Sequence, residues 1–520
     1  MIHKSCVSPP PSNMRLRRYL TCALLSVFLG CSPTLHEAAV SGDIKQLRAV
    51  LARSPNLDEQ DEVGGATAVF CAVDRGQVEA LRILLEAGAN PNIPDSRSNS
   101  PVHLVLYRTD IPDTNRIQIL QLLLEHGANP NVINENGVTP LGLAVLPHWT
   151  SEKFSVAAVR LLLDHRADPN MATDKVHGFT ALHITVGPGF DEIVETLLAH
   201  GGDPNRSDKH GRTSLHYAVA VHADTVIRLL LAHGADPNAR DSMRRTPLHY
   251  ASATKPPPDV ASLFAEKSWI SCIPCVAELI KAGADPGARD STGRTPLYYA
   301  SCPGTASAAP EFAITKIVGL LLDNEAVINA TDDSETTPLH CAAQAGSVTL
   351  ITLLVRKGAR PSARDIDGNT PLHIAAANLA DAAVQALLTD SGRSEANTTN
   401  KRSQTPLSLA CGAATTRNKG GGSLITLREV PRKPLDEIVG ILDQGNVERE
   451  MEIQEVRPIA PSLVVDETRR SRQVKVVKLL LDAGALLSTK DVSGKTPLDV
   501  AVETMAAPEA IRMLKESRGM

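Results

Sequence analysis

Apolar positions in this chain recur in short bursts rather than long runs. Val226, Leu229 and Leu230 fall at i, i+3 and i+4, the spacing of one helix face. After them, Leu248 and Ala251 begin a shorter and narrower burst. Polar punctuation separates the two. Gly234 supplies a left-handed residue that ends the longer helix, and Asp236, Pro237, Asn238 and Asp241 are turn formers. Thr246 suits an N-cap, and Pro247 occupies the first helical position, where its missing N–H costs nothing. The predicted unit is a short helix, a longer helix and a polar turn. One such pair cannot bury its apolar face alone, so neighbours must stack.

The punctuation is periodic. Thr213-Ser214-Leu215-His216-Tyr217-Ala218 returns 33 residues later as Thr246-Pro247-Leu248-His249-Tyr250-Ala251, and Thr180-Ala181-Leu182-His183 precedes it by 33. Thr337-Pro338-Leu339-His340 and Thr370-Pro371-Leu372-His373 keep the same spacing, with further copies from Thr67, Ser100, Thr139, Thr295, Thr405 and Thr496. Many close on a Gly-Ala-Asp/Asn-Pro-Asn tail, as in Gly88–Asn92, Gly127–Asn131 and Gly234–Asn238. In period and in its Thr-Pro-Leu-His signature the chain resembles the ankyrin-repeat family from about Thr34 to Lys515. The resemblance implies an all-α solenoid of about 12–13 helix-turn-helix repeats with insertions, and a role in binding other proteins.

Insertions interrupt the copies around 107–116, 147–155, 254–271, 303–313 and 412–434. The expected organisation is an N-terminal tail or signal peptide at 1–33, repeats over 34–411, an insertion with degenerate repeat elements at 412–473, and C-terminal repeats with a cap at 474–520. Within the insertion, Leu435–Val447 reads as a second helix, and 459–487 as a degenerate repeat. Leu230 and Leu353 are expected in the core.

Composition narrows the function classes. Apolar residues make up 42% and charged residues 21%, the mix of a globular chain rather than a disordered one. The net charge of −5 argues against a nucleic-acid coat. Aromatics are 3%, so the core must be built from Leu, Ala, Val and Ile.

The first 33 residues stand apart. Arg15, Arg17 and Arg18 precede the mostly apolar run Leu20–Gly30, which is too short to span a bilayer but fits a signal-peptide core. Gly30-Cys31 looks like a bacterial lipoprotein cleavage box, which makes Cys31 a lipidation candidate and implies a cell-envelope location with membrane contact. The box departs from that pattern at Phe28 and Leu29, and the alternative is a cytoplasmic adaptor whose first 33 residues form a tail. Cysteine usage points to the alternative. Cys71, Cys302, Cys341 and Cys411 read as unpaired fillers of small core positions. Cys272 and Cys275 alone are near enough in sequence to pair, and as a lone Cys-x-x-Cys with no second pair or nearby His pair they read as structural filler rather than a metal or redox site.

No nucleophile elbow, phosphate-cradling loop, zinc-protease helix or EF-hand loop occurs, so no enzyme, cofactor or metal is expected. The family resemblance gives His183, His216, His249, His340 and His373 a structural role, tying neighbouring loops through backbone hydrogen bonds. Tyr217, Tyr250 and Tyr299 read as core residues with satisfied hydroxyls. The expected function is a monomeric protein-binding scaffold, with a regulatory subunit that positions an enzyme as the alternative. Two binding surfaces compete. One is the row of turn tips carrying Arg206, Lys209, Arg212, Arg240, Arg244, Arg245, Arg289 and Arg294, which would attract an acidic partner. The other is the insertion edge with Trp149 and Trp269, flanked by Phe154 and Phe264.

Overall fold

A computed structural model describes residues 34–62, 64–146, 151–187, 189–253, 272–302, 310–390, 393–413, 467–504 and 506–518. Among them every regular element is helical, apart from one isolated bridge between Ser207 and Thr213 and a 3-10 turn at Arg393–Asn397. The chain divides into two compact units at Asp285–Pro286, with Ser252–Lys255 grouping with the second. In the tail at that division, Gly287 replaces the usual asparagine.

Among the described residues the first unit holds seven helix pairs and the second five. In the first they are α1 Leu35–Ser41 with α2 Ile44–Leu51, α3 Ala68–Asp74 with α4 Val78–Glu86, and α5 Pro101–Tyr107 with α6 Asp113–Glu125. Next come α7 Pro140–Ala144 with α8 Glu152–Asp164, and α9 Ala181–Ile184 with α10 Asp191–Ala199. The last two are α11 Ser214–Ala220 with α12 Asp224–Ala232, and α13 Pro247–Ser252 with α14 Ile273–Lys281. In the second they are α15 Pro296–Ser301 with α16 Glu311–Asp323, α17 Pro338–Ala345 with α18 Val348–Arg356, and α19 Pro371–Ala377 with α20 Asp381–Asp390. Then follow α21 Pro406–Gly412 with α22 Glu467–Asp482, and α23 Pro497–Glu503 with α24 Pro508–Ser517.

Within each unit the first helices pack side by side, as do the second helices. Their shared faces bury Leu, Val, Ile and Ala; Leu81, Leu84, Leu215 and Leu230 are fully enclosed. Leu353 differs from expectation: it is half-buried, and Leu354 on α18 is the enclosed residue. A one-residue step turns a helical side chain by about 100°.

Three insertions end in added helix. Helices α6, α8 and α16 have 13 residues, whereas five other second helices have 9. The extra chain adds one turn at the N-terminal end. Arg116 on α6 anchors that turn, donating from Nε and Nη2 to the carbonyls of Val105 and Leu106 at 3.1 and 2.8 Å. Its guanidinium lies 3.6 Å from the ring centroid of Phe154, so that ring belongs to the core between repeats.

The eleventh repeat is also revised. Its second helix is α22, which packs on α21 and on the second helices either side of it. Gln473 fixes the pairing by donating to the carbonyls of Ala410, Cys411 and Ala413. Thus 467–482 completes the repeat opened at Thr405, rather than the separate repeat expected over 459–487. Leu435–Val447 lies outside the described residues, as do Cys31, Trp149, Phe264 and Trp269.

Candidate functional site: the turn tips

Each repeat enters the next through a turn that opens with an aspartate or asparagine. Asp208 Oδ1 accepts the backbone N–H groups of His210 and Arg212 at 2.7 and 2.9 Å; Asp241 does the same for Met243 and Arg245. This local bonding closes the tip. Successive tips then join through single backbone bonds, Lys209 N–H to His177 O at 2.9 Å and Ser242 N–H to His210 O at 2.7 Å. The tips form a ladder: most successive tips within a unit are joined this way, and between Glu135 and Lys175 the Lys175 Nζ donates to the Glu135 carbonyl at 2.7 Å instead.

The signature histidines brace this ladder from below. Nδ1 of His216 accepts the Thr213 N–H at 3.2 Å, which makes Nε2 the protonated nitrogen, and Nε2 donates to Arg245 O at 3.1 Å. His103, His183, His340 and His373 repeat the arrangement toward Val138, Arg212, Asn369 and Gln404. Burial pushes His103, His216 and His373 down to about 4, and lowers His183 and His340 as well. A second ladder was not foreseen. The tail asparagine of one repeat accepts a backbone N–H and donates to the glycine carbonyl of the next, as Asn205 does with Asp236 N–H and Gly234 O. Its sequence signal was the recurrent Pro-Asn.

The tip cations separate into two kinds. Arg212 and Arg245 were expected to face solvent, and both are buried, with side chains 2% and 9% exposed. The turn brings its fifth residue back onto its first, so Arg212 Nε donates to Asp208 Oδ2 at 2.9 Å and Arg245 Nε to Asp241 Oδ2 at 2.7 Å. The tyrosine nine residues after each aspartate completes the cluster. Tyr217 and Tyr250 donate to the same carboxylate oxygens at 2.6 and 2.8 Å, and each ring centroid lies 5.0 Å from its guanidinium. Tyr299 likewise donates to Asp290 at 2.8 Å. In the second unit Arg294 is intermediate, 32% exposed and 3.7 Å from Asp332. Arg212 and Arg245 thus serve the fold of their tips, while Arg294 keeps part of its side chain in solvent.

Lys209, Arg244, Arg206 and Arg240 are exposed in the first unit, and Arg289 in the second. Lys175, on the tip before Lys209, is exposed too. Beside these cations, Val176 and Met243 stand 62% and 46% exposed. Sequence reasoning missed all three of these residues, although each occupies the second or third place of a tip, where a side chain points outward.

The cysteines are also redistributed. Cys272 joins Cys275, and Cys302 joins Cys341 across a separation of 39 residues with Cα atoms 4.8 Å apart. Cys302 and Cys341 were expected to be unpaired. They lie in adjacent repeats whose first helices touch, so the side-by-side packing of α15 and α17 closes the distance. Cys71 and Cys411 are buried, and burial pushes the Cys411 thiol up to about 12. Among the described residues no helix is long and apolar enough to cross a membrane.

Comparison with known proteins fits this geometry. The profile of a family described as ankyrin repeats (3 copies) matches residues 35–134, 148–241, 191–271, 271–365 and 306–400, well over half of the chain. Protein PhlB of Serratia liquefaciens is 40% identical over 104 residues, 20% of this chain and 46% of that protein. Human transient receptor potential cation channel subfamily A member 1 is 36% identical over 75 residues, 14% of this chain and 6% of that one. A putative ankyrin repeat protein of Rickettsia felis is 30% identical over 70 residues, 14% of this chain and 23% of that protein. The chain therefore spans less than half the length of these relatives.

Proposed function

Because this chain belongs to the ankyrin-repeat family, whose repeats generally mediate binding to other proteins, we propose that it is a non-enzymatic scaffold capturing an acidic protein on the tips of its fourth to sixth repeats. One observation carries the reading. Lys175, Lys209 and Arg244 stand exposed on three successive tips, while Asp208 and Asp241 are buried beneath their own arginines. The tip acids are spent internally, and the outward charge is positive. Val176 and Met243 add apolar contact beside it. An acidic segment is steered to such a row, and the attraction is screened beyond about 8–10 Å at physiological salt.

The test is affinity capture with the full chain, comparing wild type with the Lys209→Glu, Arg244→Glu double variant at low and high salt. Loss of the captured acidic protein in the double variant, with folding intact, is the expected result. Retention there, with loss in the Trp149→Ala, Trp269→Ala variant, would move the site to the insertion edge.

The scaffold is proposed to be monomeric and exported, anchored through a lipid on Cys31. Two disulfides support an oxidising compartment. The alternative, a cytoplasmic adaptor that positions an enzyme or signalling partner, follows if wild type and Cys31→Ser partition identically between detergent and aqueous phases.

A further inference from the structure

The seventh repeat holds a cluster that the scaffold reading does not use. Cys272 is the N-cap of α14 and Cys275 its third residue, with Ile273 and Pro274 between them. Their sulfurs are bonded. Opposite them, the first residue of α12 places Asp224 Oδ1 3.6 Å from Cys272 Sγ and 3.5 Å from Cys275 Sγ. In the sequence this Cys-x-x-Cys is an isolated pair. Stacking of α12 against α14 adds the carboxylate, which no linear motif announces.

Three features distinguish this bond from Cys302–Cys341. It spans a separation of 3 residues against 39, so it constrains the unfolded chain far less and its loss is better tolerated. It sits at the start of a nine-residue helix, where the Cys275 N–H points at Cys272 Sγ from 3.2 Å and the helix end stabilises negative charge on sulfur. Lastly, Asp224 lies within S–H···O reach of both sulfurs. A disulfide offers that carboxylate no proton, whereas a dithiol offers two. Asp224 therefore favours the reduced state over the oxidised one.

We propose that Cys272–Cys275 is a reversible thiol–disulfide exchange site that takes two electrons from a dithiol reductant, with Asp224 positioned to hold the reduced pair. Cys272 is the entry point, being 7% exposed against 1% for Cys275. One thiolate of the reductant attacks Cys272 Sγ, forming a mixed disulfide and breaking the Cys272–Cys275 bond. Cys275 leaves as a thiolate and is protonated. The second thiolate of the reductant then attacks its own sulfur in the mixed disulfide and releases Cys272. The reductant departs as a disulfide, and its two protons reside on Cys272 and Cys275, both donating to Asp224.

The experiment equilibrates the full chain with graded ratios of reduced to oxidised dithiothreitol, then traps thiols with iodoacetamide and maps them by mass spectrometry. Cys272 and Cys275 should be trapped at a ratio on the order of tenfold or more below that needed for Cys302 and Cys341. Asp224→Asn, which keeps a weaker acceptor, should require roughly three- to tenfold more reductant at the first pair and leave the second unchanged. Cys275→Ser should accumulate a mixed disulfide on Cys272 when oxidised glutathione is added. The proposal fails if Cys302–Cys341 opens first or together with Cys272–Cys275, or if the Cys275→Ser protein forms no mixed disulfide. It also fails if the reduced chain takes up one equivalent of zinc that blocks reoxidation, since the cluster would then be a metal site.

Discussion

Arg212→Ala is expected to lower the unfolding free energy of the first unit by about 3–5 kcal/mol, the usual effect of removing one partner from a buried ion pair. The Arg212 and Asp208 side chains are 2% and 0% exposed, and water cannot replace the lost cation. Burial opposes ionisation of Asp208, but the Tyr217 hydroxyl, the Arg212 backbone N–H and the guanidinium outweigh it and hold the carboxyl below its usual range. Truncating Arg212 leaves that charge enclosed with its countercharge gone, and also strips the cation from the Tyr217 ring. Replacing both partners, as in Asp208→Asn with Arg212→Met, should cost less than the sum of the single changes. Lys209→Glu, on the outer side of the same tip, should stay within about 0.5 kcal/mol of wild type. Urea unfolding of wild type, Arg212→Ala, Lys209→Glu, the double variant and its two single changes checks this. Equal stability of Arg212→Ala and Lys209→Glu would mean that the buried pair does not hold the tip.

Acid should unfold the chain well before its carboxylates titrate. Native His103, His216 and His373 are held near 4, against 6.5 for the unfolded side chain. Above pH 6.5 both states are neutral at these sites and stability is flat. As pH falls from 6.5 toward 4 the unfolded chain binds protons that the folded chain refuses, so stability declines by up to about 1.4 kcal/mol per pH unit for each histidine. At pH 5 the loss is about 2 kcal/mol per histidine. The reason is visible in the bonding. Nδ1 already accepts a backbone N–H, so a proton there would face another donor inside the core. The depressed carboxyl of Asp208 contributes stability at higher pH that is lost mainly as pH falls below 3.8, outside this window. Denaturant midpoints measured from pH 7.5 to 4.5 should fall along this line, and His216→Gln should reduce the slope by one proton while weakening the protein at pH 7.5. A midpoint constant across the range would exclude the neutral-histidine account.

Much of this molecule was legible in one dimension. The 33-residue period, the Thr-Pro start and the glycine stop of each unit are local signals, because a helix cap and a left-handed residue are decided within a few positions of chain. The roles of His216 and Tyr217 were legible too, since a residue recurring once per repeat meets the same neighbours each time.

Direction and depth were decided by the tertiary structure. Whether a tip arginine faces solvent or folds under its aspartate depends on the closure of the turn, and so Arg212 and Arg245 moved inward while Lys209 and Arg244 stayed out. Phe154 became core because Arg116, 38 residues earlier, lies on it. Cys302 found Cys341, and Asp224 found Cys272 and Cys275, only because stacking sets distant segments a few ångströms apart. The sequence by itself determined the unit and its repetition, which rest on short-range backbone preferences. The packing between units of the repeat determined which of its charges, aromatics and sulfurs remain available for chemistry, since burial and proximity are properties of neighbours the linear order does not name.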